Sequence, residues 1–146
     1  MTKDNHPKPD KGWTFLEHTA DIRLEVHGDT LADLFVHAAA GLKSLISPDI
    51  EAVPETELEI TLEADTSEEL LVDWLRELLF ISQTRQLVMV RAQITDLSEI
   101  NLKARVYFGT KPSDVETSLE IKGVTYHGLS IDKNTAGYSA RIVFDI

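Results

Sequence analysis

Residues 66–82 read TSEELLVDWLRELLFIS, and this stretch decides the fold. Thr66 with Glu69 three positions on forms a capping box, the side-chain pairing that satisfies free N–H groups at a helix start. Leu70, Leu71, Trp74, Leu75, Leu78 and Leu79 then recur at three- and four-residue spacing, which puts them on one stripe of a helix running to about Ser82. Both flanks change period. Before it, Leu58, Ile60 and Leu62 alternate with Glu57, Glu59, Thr61 and Glu63, a strand with an acidic outer face that ends by Asp65. After it, 87–97, 100–108, 123–131 and 138–144 all have strand composition, with hairpin links at 97–100 and 134–137.

Further toward the N-terminus, Ile22, Leu24 and Val26 alternate with Arg23, Glu25 and His27, and Gly28–Asp29 ends that strand. Thr30 with Asp33 caps a second helix, whose stripe Leu31, Leu34, Phe35, Ala38, Leu42, Leu45 and Ile46 stops near Ser47–Pro48. Residues 111–120 read as an irregular connector or a short helical turn. Two amphipathic helices in the first half beside later hairpins give an α+β domain of antiparallel sheets, not an alternating α/β one. Residues 1–12, with two prolines and no apolar period, read as a flexible leader, leaving 13–146 as one domain.

Composition narrows the chemistry. The 146 residues carry 14 Lys plus Arg against 25 Asp plus Glu, a net charge of −11, and no cysteine. Disulfides, thiolate metal sites and a cysteine nucleophile are excluded, so any metal must sit on oxygen or imidazole. The seven glycines form no phosphate-cradling loop, and no zinc-protease, EF-hand or serine-hydrolase motif is present. Between Asp49 and Glu77 there are eleven acidic residues and one basic residue, a face unsuited to RNA. The longest charge-free apolar stretch, around 34–42, is far shorter than the roughly 18 to 20 residues that span a bilayer. A soluble, cytoplasmic protein with no membrane partner is expected.

Several polar residues invite a functional reading. Glu17, His18 and Asp21 cluster just before a strand, a pattern that turn chemistry also explains. Asp145 ends a strand whose Tyr138, Ala140, Ile142 and Phe144 point inward, so it shares the other side with Arg141 and Val143. It would matter if the fold brought it beside Asp21, because two facing carboxylates repel and favour a cation between them. Asp73 and Glu77 lie one helical turn apart and read, with Arg76, as a solvated acidic face. Trp74 reads as core, and His127 as a hydrogen-bonded strand residue.

The segment Phe15-Leu16-Glu17-His18-Thr19-Ala20-Asp21-Ile22 resembles the opening signature of the archease family. The order and approximate spacing of 30–39, of 70–80, of Ile121-Lys122-Gly123-Val124-Thr125-Tyr126-His127 and of the Asp145-Ile146 ending agree with it. The resemblance implies a non-enzymatic accessory protein of the RtcB-type RNA ligase in tRNA splicing or RNA repair. Such a protein promotes ligase guanylylation and multiple turnover, the GTP and manganese belonging to the ligase. It also implies a divalent-cation site, calcium by expectation, with ligands falling on Asp21, Asp145 and the backbone or terminal carboxylate of Ile146. Glu17 and His18 would orient Asp21, and Lys122 would contact the partner. Direct, strong nucleic-acid binding is not expected. Arg23 stands where many archeases have glycine, and Gly123 replaces another common small residue. The alternative from composition is a chaperone-like acidic protein-binding module with a structural metal. A metal-dependent hydrolase built on Asp21, Asp145 and His18 ranks last, for want of an activated nucleophile.

Overall fold

The computed structural model describes residues 11–16, 21–47, 52–110, 120–126 and 128–146. In chain order the elements are β1 (Trp13–Leu16), β2 (Asp21–Gly28), α1 (Leu31–Ile46), β3 (Thr56–Glu63), α2 (Ser67–Arg85), β4 (Leu87–Leu97), β5 (Asn101–Thr110), β6 (Gly123–Thr125), β7 (Ile131–Asn134) and β8 (Gly137–Asp145). The architecture is α+β, with two antiparallel sheets. One has the order β1-β2-β8-β6, with β7 also on β8; the other has the order β3-β5-β4. The expected leader lies almost wholly outside the described residues, as does nearly all of the 111–120 connector. Where description begins, the Gly12 carbonyl accepts the His27 N–H at 2.8 Å and Lys11 Nζ lies 4.2 Å from the Trp13 ring centroid.

Both helices form where the side chains dictate. Thr30 Oγ1 accepts the Asp33 N–H at 3.0 Å while Asp33 Oδ2 accepts the Thr30 N–H at 3.3 Å, the complete reciprocal cap. Helix α2 is capped on one side only: Thr66 Oγ1 accepts the Glu69 N–H, but Glu69 Oε2 turns to the N–H of Asp65. It also runs past Ser82 to Arg85, and Gln86 ends it in the left-handed conformation at φ 51°.

The helices lie between the sheets. α1 packs on β1, β2 and β8 and also reaches β4; α2 packs on β6 and also reaches β3 and β4. Leu24, Val26, Ile142 and Phe144 from one sheet and Ile60, Leu102, Ala104 and Val106 from the other close a single core around Phe35, Leu42, Trp74 and Leu78. Burying each large side chain contributes about 1.5–3 kcal/mol. Gly41 lets α1 approach β2, since a Cβ there would come within 2.7 Å of Leu24. Trp74 is core as expected, with its indole N–H donated to the Phe35 carbonyl at 2.9 Å, which ties α2 to α1.

One expectation changes in detail. The strand composition of 123–131 resolves into two strands, β6 and β7, separated by a turn with Gly128 at φ 74° and the Leu129 N–H on the Tyr126 carbonyl. The strands divide between two antiparallel sheets as expected, β4 and β5 joining β3 and β6 to β8 joining β1 and β2. The acidic outer side of β3 is as expected, with Glu57, Glu59 and Glu63 exposed, and it runs beside the outer side of β5. Glu57 Oε1 lies 2.7 Å from Arg105 Nε, and Thr61 faces Lys103 in the ladder. Cross-strand opposite charges offset part of the repulsion along this face.

Candidate functional site

The outer side of the first sheet, away from the helices, is built by alternation. On β2, Leu24 and Val26 are fully buried, which sends Asp21, Arg23 and Glu25 outward. On β8, Ala140, Ile142 and Phe144 are buried, which sends Arg141, Val143 and Asp145 outward. The two strands pair antiparallel with Asp21 directly opposite Asp145, Arg23 opposite Val143 and Glu25 opposite Arg141. On the other flank of β8, β6 places Gly123 opposite Asp145 and Thr125 opposite Val143. One row across three strands therefore reads Asp21, Asp145, Gly123.

Directly opposed residues in an antiparallel ladder share a face, with Cβ atoms about 5 Å apart. Two carboxylates so placed repel. Part of the repulsion is offset by Arg23, whose Nε lies 3.6 Å from Asp21 Oδ1. A second ion pair further along the face, Arg141 Nη2 to Glu25 Oε2 at 3.3 Å, leaves those charges matched. A polar cavity of about 390 Å³, lined by Glu25, Ser130, Asp132, Ser139 and Arg141 among others, lies at that far end and includes neither Asp21 nor Asp145.

The row is held in place from below. Lys122 donates its main-chain N–H to the Asp145 carbonyl at 2.7 Å, with its side chain exposed. Arg76 of α2 donates Nε and Nη2 to the Val124 carbonyl at 3.2 and 2.9 Å, and Gln83 donates Nε2 to the Ile121 carbonyl at 2.9 Å. Glu68 Oε2 accepts the Ile131 N–H at 3.1 Å. Helix α2 thus pins the edge of the sheet along 121–131. Arg76 is a correction to the solvated acidic face read from sequence: its guanidinium is a clamp on β6. No local pattern marks Arg76 or Gln83 for this task, since their partners are main-chain atoms far along the chain.

Of the residues singled out from sequence, Asp21 and Asp145 are brought together, Ile146 follows Asp145 and is exposed, and Lys122 adjoins through its main chain. Glu17, His18 and His127 lie outside the described residues. Among the described residues, no three His, Asp or Glu side chains gather where they could hold a metal ion. The donors at the row are carboxylate oxygens alone, chemistry that suits a hard cation such as calcium or magnesium. Among the described residues no third carboxylate joins them.

A two-sheet α+β domain of this kind is also the fold of known proteins. The family model described as the Archease protein family (MTH1598/TM1083) matches residues 13–146. The chain is 35% identical over 146 residues to protein archease of Methanosarcina mazei, covering 96% of this chain and 99% of that one. It is 35% identical over 144 residues to protein archease of Pyrococcus abyssi, covering 93% and 99%. The solution structure of protein 1598 of Methanobacterium thermoautotrophicum superposes with a TM-score of 0.73 at 29% identity, over 94% of this chain and all of that one. A Thermotoga maritima archease, described as a possible chaperone, shares the fold with a TM-score of 0.65 at 22% identity, over 99% of this chain and all of that one. The chain belongs to the archease family. Among its described residues no helix is long and apolar enough to cross a membrane.

Proposed function

We propose that this protein is a non-enzymatic accessory factor of an RtcB-type RNA ligase, acting in tRNA splicing or RNA repair through a divalent cation held at the Asp21–Asp145 pair. The observation that carries the reading is the register that sets these two carboxylates opposite each other on an open face. Asp21 and Asp145 would hold the ion, with a main-chain or terminal oxygen of Ile146. A bound calcium or magnesium supplies positive charge to which an anionic group of the partner can be drawn.

The chain's own residues do the rest. The clamps from Arg76 and Gln83 keep β6, and with it the Asp145 flank, in register. Lys122 adds a cation beside the row for contact with the partner. Binding one state of the ligase more tightly than the others would shift the ligase toward guanylylation without any chemistry performed here.

The test is RNA joining by the purified ligase from the same source, with GTP and manganese, under single- and multiple-turnover conditions. The expected result is faster guanylylation and sustained turnover at substoichiometric amounts of this protein, lost in Asp21→Ala and weakened in Lys122→Ala. Stimulation that survives in both Asp21→Ala and Asp145→Ala removes the cation from the mechanism. No effect of the wild-type protein on either step favours the chaperone-like reading instead.

A further inference from the structure

A strand at the edge of a sheet leaves half of its main-chain N–H and C=O groups without a ladder partner, and folded proteins blunt such edges with bulges, lysines, short strands or side-chain caps. Most edges of this fold are blunted in these ways. β4 carries register shifts between Met89 and Arg91 and between Ile94 and Asp96, and Lys43 of α1 donates Nζ to the Val90 carbonyl at 3.2 Å. On the β6 and β7 flank, Arg76 and Gln83 hold the Val124 and Ile121 carbonyls and Glu68 holds the Ile131 N–H. β1 is only four residues long. β3 has none of these devices: its eight residues, Thr56–Glu63, lie at the edge of their sheet and pair with β5 in unbroken register.

The register identifies the groups left over. The Ala64 N–H is donated to the Ile100 carbonyl at 2.9 Å, the next step of the β3–β5 ladder, and hydrogen-bonded positions alternate along an antiparallel pair. Thr56, Leu58, Ile60 and Leu62 therefore direct their main-chain groups to β5, while Glu57, Glu59, Thr61 and Glu63 direct theirs to the open edge. Those groups have no main-chain partner among the described residues. The side chains along the edge alternate as well. Glu57, Glu59, Thr61 and Glu63 are exposed on one face; Arg105 pairs with Glu57, and Glu59 and Glu63 have no ion pair among the described residues. On the other face Leu58 and Leu62 are only half-buried. We propose that the β3 edge takes up an extended segment of a partner protein as an added strand, with lysine or arginine at alternate positions beside Glu59 and Glu63 and apolar residues between them beside Leu58 and Leu62. Main-chain bonds supply the affinity of such an addition and the alternating side chains its selectivity. A second copy of this chain is disfavoured because pairing two β3 edges sets glutamates beside glutamates. RNA is disfavoured because the row along the edge is anionic. The inference needs no cation and stands apart from the ligase reading.

The test is amide hydrogen exchange by NMR on the full chain, alone and with a short synthetic peptide of alternating lysine and valine; a glutamate–valine peptide of the same length is the control. In the free protein the amides of Glu57, Glu59, Thr61 and Glu63 should exchange fast and those of Leu58, Ile60 and Leu62 slowly. Saturating lysine–valine peptide should slow the first set by about tenfold or more and leave the second set unchanged. The variant carrying Glu59→Lys and Glu63→Lys, its fold checked by thermal unfolding, should bind the peptide about tenfold more weakly, the scale of reversing two exposed charges. Protection of Glu57, Glu59, Thr61 and Glu63 in the free protein at every concentration overturns the proposal, since the chain then covers its own edge. Protection that appears as the free protein is concentrated makes a second copy the occupant and overturns it too. Peptide binding without the alternating protection reduces the contact to charge attraction and overturns the added strand. Equal binding of the glutamate–valine peptide, or undiminished binding by the double variant, overturns the basic partner. Absence of binding up to about 1 mM lysine–valine peptide, or the same alternating protection with an RNA oligonucleotide, overturns the proposal as well.

Discussion

Arg23 Nε lies 3.6 Å from Asp21 Oδ1, two residues along the strand that sets Asp21 against Asp145. The guanidinium offsets the repulsion within the acid pair and, by the same contact, competes with any cation for Asp21. Arg23→Ser is therefore expected to raise calcium affinity by about threefold to tenfold, the scale of a partly exposed ion pair. Calorimetric titration with calcium measures this. Equal or weaker affinity in the variant would mean that Arg23 positions Asp21 for the ion.

The acid pair makes opposite predictions with and without cation. In metal-free buffer, Asp145→Asn relieves a like-charge contact worth about 0.2–1 kcal/mol, so its melting temperature should equal or exceed that of wild type by up to about 4 °C. If the proposed cation binds at the pair, saturating calcium should stabilise the wild-type protein by mass action and not the variant, so the order should reverse. Scanning calorimetry in the two buffers reads both arms. A variant less stable in metal-free buffer would show that Asp145 is needed for packing.

Arg76→Met should loosen β6 without disturbing the core. Loss of the two N–H donors to the Val124 carbonyl is expected to cost about 1 kcal/mol. The signature is local: amide hydrogen exchange should quicken across residues 121–125 and stay unchanged in α1. Uniformly faster exchange would make Arg76 a determinant of global stability instead.

Glu55 offers a pH test away from the site. Its carboxylate accepts hydrogen bonds from the Thr110 hydroxyl and, at 3.0 Å, from the Thr110 N–H, which together hold its pKa below the ordinary 4.5. Folding therefore favours the ionised form. Its contribution is fully present above the unfolded carboxylate pKa and fades as pH falls through the lower folded value. In Thr110→Val the hydroxyl is gone and the N–H remains, so the Glu55 pKa measured by NMR should climb toward 4.5. An unchanged value would assign the whole shift to the main-chain bond.

Much of the local structure was legible because it is local. The Thr30–Asp33 cap, the stripes of both helices and the alternation of β2 and β8 follow from spacings of two to four residues, and alternation also gave Asp145 its side of the sheet. Which residue faces Asp145 is a different kind of fact. It depends on the register between a strand near the start of the chain and one near its end, which no local period encodes. Only the family resemblance put Asp21 and Asp145 together in advance. The division of 123–131 hinged on one left-handed glycine, Gly128, and β1 is too short, at four residues, to carry a period of its own. The acidic face of β3 follows from alternation, but the basic residues beside it, Lys103 and Arg105, lie on a strand beyond α2 in the sequence, which no local period pairs with it.

β8 is the last strand in chain order and sits between β2 on one side and β6 and β7 on the other. The sheet of β1 and β2 therefore closes only on a strand far along the chain, a non-local pairing of the kind that folds late. Without β8 the inner sides of β2 and α1 lack a strand that completes them, and the two carboxylates are on separate strands. The acid pair is consequently a proofreading mark: only a molecule with β8 correctly threaded beside β2 can present it.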